Sequence, residues 1–218
     1  MPAQTGEMRK NVEFERTDQE QVEALQSWWR ENWLSLVGGL VIGVGGILGW
    51  QYYGETRLAT AAQASQAYET VKMQAATGQL QAAQATLQEL ASQHASSPYV
   101  LQSHLTLAEA HAAAGDWAQA EAMLRPVVDQ DRDPALSALA GLRLARALWA
   151  QDRLADAQAV VASARQGAFS PLYAVLRGDL AAAASDAEAA RTAYEEALAS
   201  DSDYLDQASV ERKLAALN

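Results

Sequence analysis

Leu107-Ala108-x2-His111-x3-Gly115-Asp116-Trp117-x2-Ala120-x3-Leu124, closed by Pro134, is the stretch on which the reading of this chain turns. Two apolar runs with helical spacing flank a Gly-Asp turn. Two antiparallel helices pack closely only where small side chains meet, and Ala108 and Ala120 allow that approach. Leu124 then fills the space beside the crossing. Pro134 stops the second helix and starts whatever follows.

The same grammar recurs on both sides. Ala83-x3-Leu87-x2-Leu90, Ala120-x3-Leu124-x2-Val127, Ala157-x3-Val161-x2-Ala164 and Ala190-x3-Tyr194-x2-Ala197 are separated by 37, 37 and 33 residues. Each follows a turn, at Gly78-Gln79, Gly115-Asp116, Gln151-Asp152 and Ser185-Asp186, and three are followed by Pro98, Pro134 or Pro171. Upstream of each turn a small or slender residue sits mid-helix: Val71, Ala108, Ala145 and Gly178. One such pair cannot bury its apolar face alone, so pairs stack into a solenoid. Leu205 to Leu217, charged at Glu211, Arg212 and Lys213, fits a solvent-facing cap. The fold class expected is all-α: about four helical hairpins plus a C-terminal capping helix over 54–218. The pattern resembles the tetratricopeptide repeat. It departs from it at His111, where a tyrosine is usual, at Leu90, where a small residue is usual, and in the two spacings beyond the customary ~34. A generic Ala-rich helical bundle is the alternative.

Ahead of the repeats lies a segment of another kind. From Asn32 to Gly54 there is no charged residue. The 21 residues Trp33–Tyr53, at about 1.5 Å each, span a hydrocarbon core of ~30 Å. Trp28, Trp29 and Trp33 mark one boundary and Trp50, Tyr52 and Tyr53 the other, as interfacial aromatic belts do. Six glycines in the run would each weaken a water-soluble helix by roughly 1 kcal/mol. Ala59-Thr-Ala61 has the look of a processing site, but the long, net acidic segment before the apolar run lacks the basic start of a signal peptide. A retained transmembrane helix over 33–53 is expected. Arg9, Lys10, Arg16 and Arg30 precede it, against Arg57 and Lys72 in the twenty residues after it, a small bias toward a cytoplasmic N-terminus. Gly39, Gly43 and Gly46, with Gly45 and Gly49, form side-chain-free ridges on which another helix can pack, or simply reflect the abundance of Gly in membrane helices. Thr17-Asp-Gln-Glu20 reads as a capping box. Val22, Leu25, Trp29 and Trp33 follow on one face. This predicts an amphipathic juxtamembrane helix over 17–32, resting at the interface or docked on a membrane partner, after a disordered tail over 1–16.

Composition narrows function. The 218 residues carry 16 Lys+Arg against 27 Asp+Glu, a formal charge of −11. That argues against nucleic acid and against an electrostatic grip on anionic lipid. With no Cys there is no disulfide framework, thiolate site or thiol nucleophile. His104 and His111 are too far apart to chelate as a pair, and His94 sits in a polar turn. Asp129-x-Asp131-x-Asp133 lacks the glycine and terminal glutamate of a calcium loop. No phosphate loop or nucleophile elbow is present. The chain reads as a binding protein and not an enzyme, with no cofactor or metal expected. Aligning the repeats directs Tyr68 and Lys72, Leu105 and Glu109, Leu142, Arg146 and Trp149, and Val175 and Asp179 toward the inner groove, a mixture suited to an extended or helical peptide. A groove for a free C-terminal carboxylate would need more cations than Lys72 and Arg146. Trp149 is either a binding hot spot or a packing residue between repeats.

Taken together, Asp18-x2-Gln21-Val22-Glu23-Ala24-Leu25, Trp28-Trp29, Glu31-Asn32, Gly49-Trp50-x-Tyr52 and the repeat domain resemble the YfgM family, ancillary subunits of the bacterial SecYEG translocon. Leu142-Arg143-Leu144-Ala145-Arg146 and Leu176-Arg177-Gly178-Asp179 add to the likeness, which covers about 17–218. The resemblance implies a single-pass inner-membrane protein with a periplasmic repeat domain, beside SecYEG and the membrane-anchored chaperone PpiD. It implies an adaptor that hands translocating polypeptides to periplasmic chaperones, with a link to Rcs envelope-stress regulation. A different inner-membrane scaffold in envelope biogenesis is the competing reading.

Overall fold

The structure, a computed structural model, describes residues 5–200, 202 and 205–217, with side chains from Val22 onward. The described residues form nine α-helices and no strand. The chain divides into two compact units, 1–59 and 60–218.

The first unit is built on α1 (Thr5–Ala76). Along the apolar run nothing covers the side chains: Leu34, Ile42 and Trp50 are 68, 77 and 79% exposed. A helix that is apolar all round belongs in a protein core or a bilayer, and here no protein surrounds it. Among the described residues it is the one helix long and apolar enough to cross a membrane. The boundaries expected at 16/17 and 32/33 do not show as breaks. Residues 1–4 lie outside the described residues, and 5–16 are helical rather than the disordered tail expected. Thr17 therefore falls inside α1 and starts no helix. The side chains of Thr17 and Glu20, which the capping box requires, lie outside those described. Two physical reasons apply: the Glu, Met, Lys and Arg of 5–16 are good helix formers, and extending a nucleated helix costs less than starting one.

The second unit stacks the end of α1 with α2 (Leu80–Gln93), α3 (Pro98–Ala113), α4 (Trp117–Gln130), α5 (Pro134–Trp149), α6 (Leu154–Ser163), α7 (Ser170–Ala183), α8 (Ala187–Leu198) and α9 (Gln207–Ala215). The small residues of the repeat pattern are buried. Ala83, Ala120, Ala157 and Ala190 have no exposed surface, and Val71, Ala108, Ala145 and Gly178 of the inner helices are buried, with the Tyr194 ring lying against Gly178. Pro98 and Pro134 open α3 and α5, where a missing N–H costs nothing. Ser97, Asp116, Asp133, Asp186 and Asp206 cap their helices by accepting backbone N–H bonds, satisfying donors that the first turn leaves free.

The four hairpin turns are one structure repeated. Each places a residue in the left-handed region, Gly78 (φ 75°), Gly115 (77°), Asp152 (59°) and Ser185 (64°). The next residue's amide then reaches back five positions: Gln79 to Gln74 O (2.8 Å), Asp116 to His111 O (2.9 Å), Arg153 to Leu148 O (3.0 Å) and Asp186 to Ala181 O (2.9 Å). This is the Schellman ending, which satisfies carbonyls that the last turn leaves open. One hydrophobic core runs from Ala64 to Leu180, and a second joins α7, α8 and α9 around Tyr194 and Val210. α3 packs on α5, and α5 on α7. α6 is shorter than the repeat pattern implies, leaving Ala164 as its extended C-cap before a 3-10 turn at Gly167–Phe169.

Candidate functional site

Lys72, Glu109, Arg146 and Asp179 each follow the small residue of an inner helix by one position, so they occupy equivalent places in successive hairpins and alternate in sign. Three of the four are satisfied. Lys72 bonds Glu69 at 3.1 Å and lies 5.4 Å from the centre of the Tyr68 ring. The hydrogen bond that Lys72 donates to Glu69, then the carboxylate's charge, raise the lysine pKa. Glu109 pairs with Arg143 of the next inner helix at 3.3 Å. Asp179 accepts from Lys213 of α9 through both oxygens at 2.7 Å and from the Tyr194 hydroxyl at 2.8 Å. Burial, then that hydrogen bond and the carboxylate's charge, push the Tyr194 hydroxyl up. Arg146 is exposed and has no ion-pair or hydrogen-bond partner for its guanidinium among the described residues.

The remaining expected groove residues divide by exposure. Leu105 and Leu142 are 7 and 2% exposed. They do not line a groove. Each stands three residues before the crossing Ala108 or Ala145, on the same helix face, and so turns into the core. Tyr68 is half-buried and stacks on Tyr99 with ring centres 5.5 Å apart. Val175 packs against the C-terminal core. Trp149, the last residue of α5, keeps 36% of its surface open.

Glu109, Arg143 and Arg146 meet at one place. They share the walls of a pocket of about 260 Å³ between α3, α4 and α5 with Ala108, Ala112, Trp117, Ala120, Leu124 and Ala147. Four alanines leave the room that larger side chains would fill. The sequence reading found Glu109 and Arg146 but missed Arg143 and Trp117. Arg143 had a signal: it stands three residues before Arg146, one helical turn away, and can reach the preceding helix's acidic residue.

Two polar features brace the same repeats. Glu121 of α4 accepts from Arg153 (2.7 Å), Gln151 (3.0 Å) and Arg125 (2.9 Å from Nε). Burial works to raise its carboxyl pKa, but the hydrogen bonds from Arg125, Gln151 and Arg153 prevail and hold it below the ordinary range. His111 is buried with Nδ1 3.7 Å from the Asp116 carboxylate, and burial lowers the pKa of His104. Of the acidic run, Asp133 caps α5 and Asp131 pairs with Arg165 at 2.6 Å. In the first unit, a Cβ built on Gly39, Gly43, Gly46 or Gly49 would meet nothing within 4 Å, so the glycine ridge faces open space.

The family described as tetratricopeptide repeat-like domain matches residues 26–218. Among curated proteins, the ancillary SecYEG translocon subunit of Haemophilus influenzae is 27% identical over 197 residues, 90% of this chain and 96% of that protein. The protein of the same description from Escherichia coli is 29% identical over 191 residues, 87% of this chain and 91% of its own length. That from Aggregatibacter actinomycetemcomitans is 26% identical, covering 83% and 88%. Among solved structures, BtubC (BKLC) from P. vanneervenii superposes with a TM-score of 0.58 at 14% identity, over 77% of this chain and 76% of that one. A candidate kinesin light chain from Podospora anserina with nearly identical TPR-like repeats gives 0.52 at 18% identity, over 72% and 86%. At those identities the two structures speak for the fold alone. The buried alanine ladder, the repeated turn and the match over residues 26–218 agree: this chain belongs to the YfgM family, whose members carry a tetratricopeptide repeat-like domain.

Proposed function

We propose that this protein is an ancillary subunit of the SecYEG translocon, a non-catalytic adaptor held in the inner membrane by Trp33–Tyr53. The observation that carries the proposal is the reach of the alignments. The relatives of that description match 180 to 197 residues, more than the repeat domain contains, so the likeness extends into the membrane segment. A repeat domain shared by many unrelated proteins would not by itself argue for a translocon.

Within this reading the N-terminus is cytoplasmic and 54–218 are periplasmic. The repeat domain meets PpiD and translocating polypeptides, and passes secretory and outer-membrane chains toward periplasmic chaperones. A connection to Rcs envelope-stress control follows from the same kinship. The glycine ridge supports a lateral helix partner, because among the described residues nothing occupies it.

Co-purification from mildly solubilised membranes tests the proposal. SecY and PpiD are expected with the tagged full-length chain, and recovery of neither overturns the assignment in favour of another envelope scaffold. Orientation is tested separately. The chain has no cysteine, so a single Ser92→Cys gives an unambiguous label site, expected to react with an impermeant maleimide added to intact spheroplasts.

A further inference from the structure

We infer that the pocket between α3, α4 and α5 is a docking site for a protein segment that inserts one apolar side chain and sets an Asp or Glu carboxylate on Arg146. Two independent observations meet there. The first is the cavity, about 260 Å³, with four alanines, Leu124 and Trp117 in its walls. It falls below the ~300–1,000 Å³ of ordinary small-molecule sites and suits one inserted side chain better than a lipid tail. The second is the charge pattern. Of the four equivalent inner-helix charges, Lys72, Glu109 and Asp179 are paired within the chain, and Arg146 is not. Arg143 is held by Glu109, so the neighbouring wall is neutralised and Arg146 supplies the net positive charge. A guanidinium beside an apolar cavity recognises a carboxylate carried next to an apolar group.

The occupant proposed is an internal acidic residue beside an apolar one; a chain terminus presents the same carboxylate group, and tighter binding of a peptide ending in a free Leu carboxylate would overturn that choice. The chain's overall charge of −11 repels acidic peptides in general. A preference for the acidic form therefore has to come from a local site. This assignment stands whether or not the chain sits at a translocon.

The test uses the full-length chain in nanodiscs and a fluorescein-labelled Gly/Ser dodecapeptide with a central Leu-Asp, read by anisotropy. Its Leu-Asn and Ser-Asp versions serve as comparisons. The Leu-Asp peptide is expected to bind best, with Arg146→Gln weakening it about tenfold and erasing its advantage over Leu-Asn. Ala112→Leu, which fills the cavity from a half-buried position, is expected to remove the advantage of Leu over Ser. Arg146 is exposed, so the Arg146→Gln comparison stands even if Ala112→Leu fails to fold. No binding of Leu-Asp, equal binding of Leu-Asn, or an Arg146→Gln variant that still prefers the acid would overturn the inference. Displacement of the peptide by octanoate at the peptide's own concentration range would also overturn it, by assigning the pocket to a fatty acid.

Discussion

Tyr194 lays its ring across Gly178. A Cβ at 178 would stand 2.6 Å from the ring's Cδ1, and the ring cannot easily retreat, being buried and tied through its hydroxyl to Asp179. Alanine suits a helix interior better than glycine by about 1 kcal/mol, yet Gly178→Ala is expected to destabilise the fourth hairpin by about 1–3 kcal/mol through overpacking. Denaturant melts of the full chain in detergent check the sign: a gain in stability would mean the ring moves aside. Ala120, with no exposed surface, is expected to behave alike, Ala120→Leu costing about 1–3 kcal/mol. Residue size at the crossings was legible in the sequence because close helix approach admits few side chains. Which group lies across the gap was not. The pattern set alanine against glycine, whereas a tyrosine from the next turn of α8 fills that space.

The turns and inner helices show why elements were easier to read than sites. Gly115-Asp116 and Ser185-Asp186 look different as residues but satisfy the same left-handed ending, and helical spacing on either side fixed the hairpins. Pro126, by contrast, lies inside α4, where a proline in sequence suggests a stop. Repeat alignment directs Leu105 and Leu142 to the groove, but their spacing from Ala108 and Ala145 puts them on the buried face. The Glu121 junction ties α4 to the segment leading into α6; only its Arg125 partner stands at helical spacing, and the two that make the tie, Gln151 and Arg153, left no periodic trace because they are 30 and 32 residues away. It has a measurable signature. A carboxyl held below its ordinary 4.5 in the fold binds fewer protons folded than unfolded, so its contribution is complete above that pH and drains away as pH falls toward the folded value. Glu121→Gln should cost about 1–3 kcal/mol at neutral pH and flatten the stability profile below pH 4.5. His104 acts higher on the scale. Burial lowers its pKa from 6.5, so the fold loses stability as pH drops below that value, and His104→Gln should remove this limb in urea titrations between neutral and mildly acidic pH.

For the whole molecule, the apolar run and the glycine ridge set the expectations. Fractionation should leave the chain with membranes after a carbonate wash and release it only with detergent, since Ile42 and Trp50 are more than three-quarters exposed in the folded chain. Gly43→Leu with Gly46→Leu adds bulk where nothing among the described residues lies within 4 Å. It should leave the melting of the repeats unchanged while lowering recovery of the lateral partner. The clasp between Lys213 and Asp179 has a consequence of counting. α9 packs on α8 and takes the carboxylate that a fifth inner helix would otherwise meet, so the ladder of hairpins is terminated from within. A stack with an open last rung grows head to tail, its length set by concentration. Here Lys213 already occupies that carboxylate.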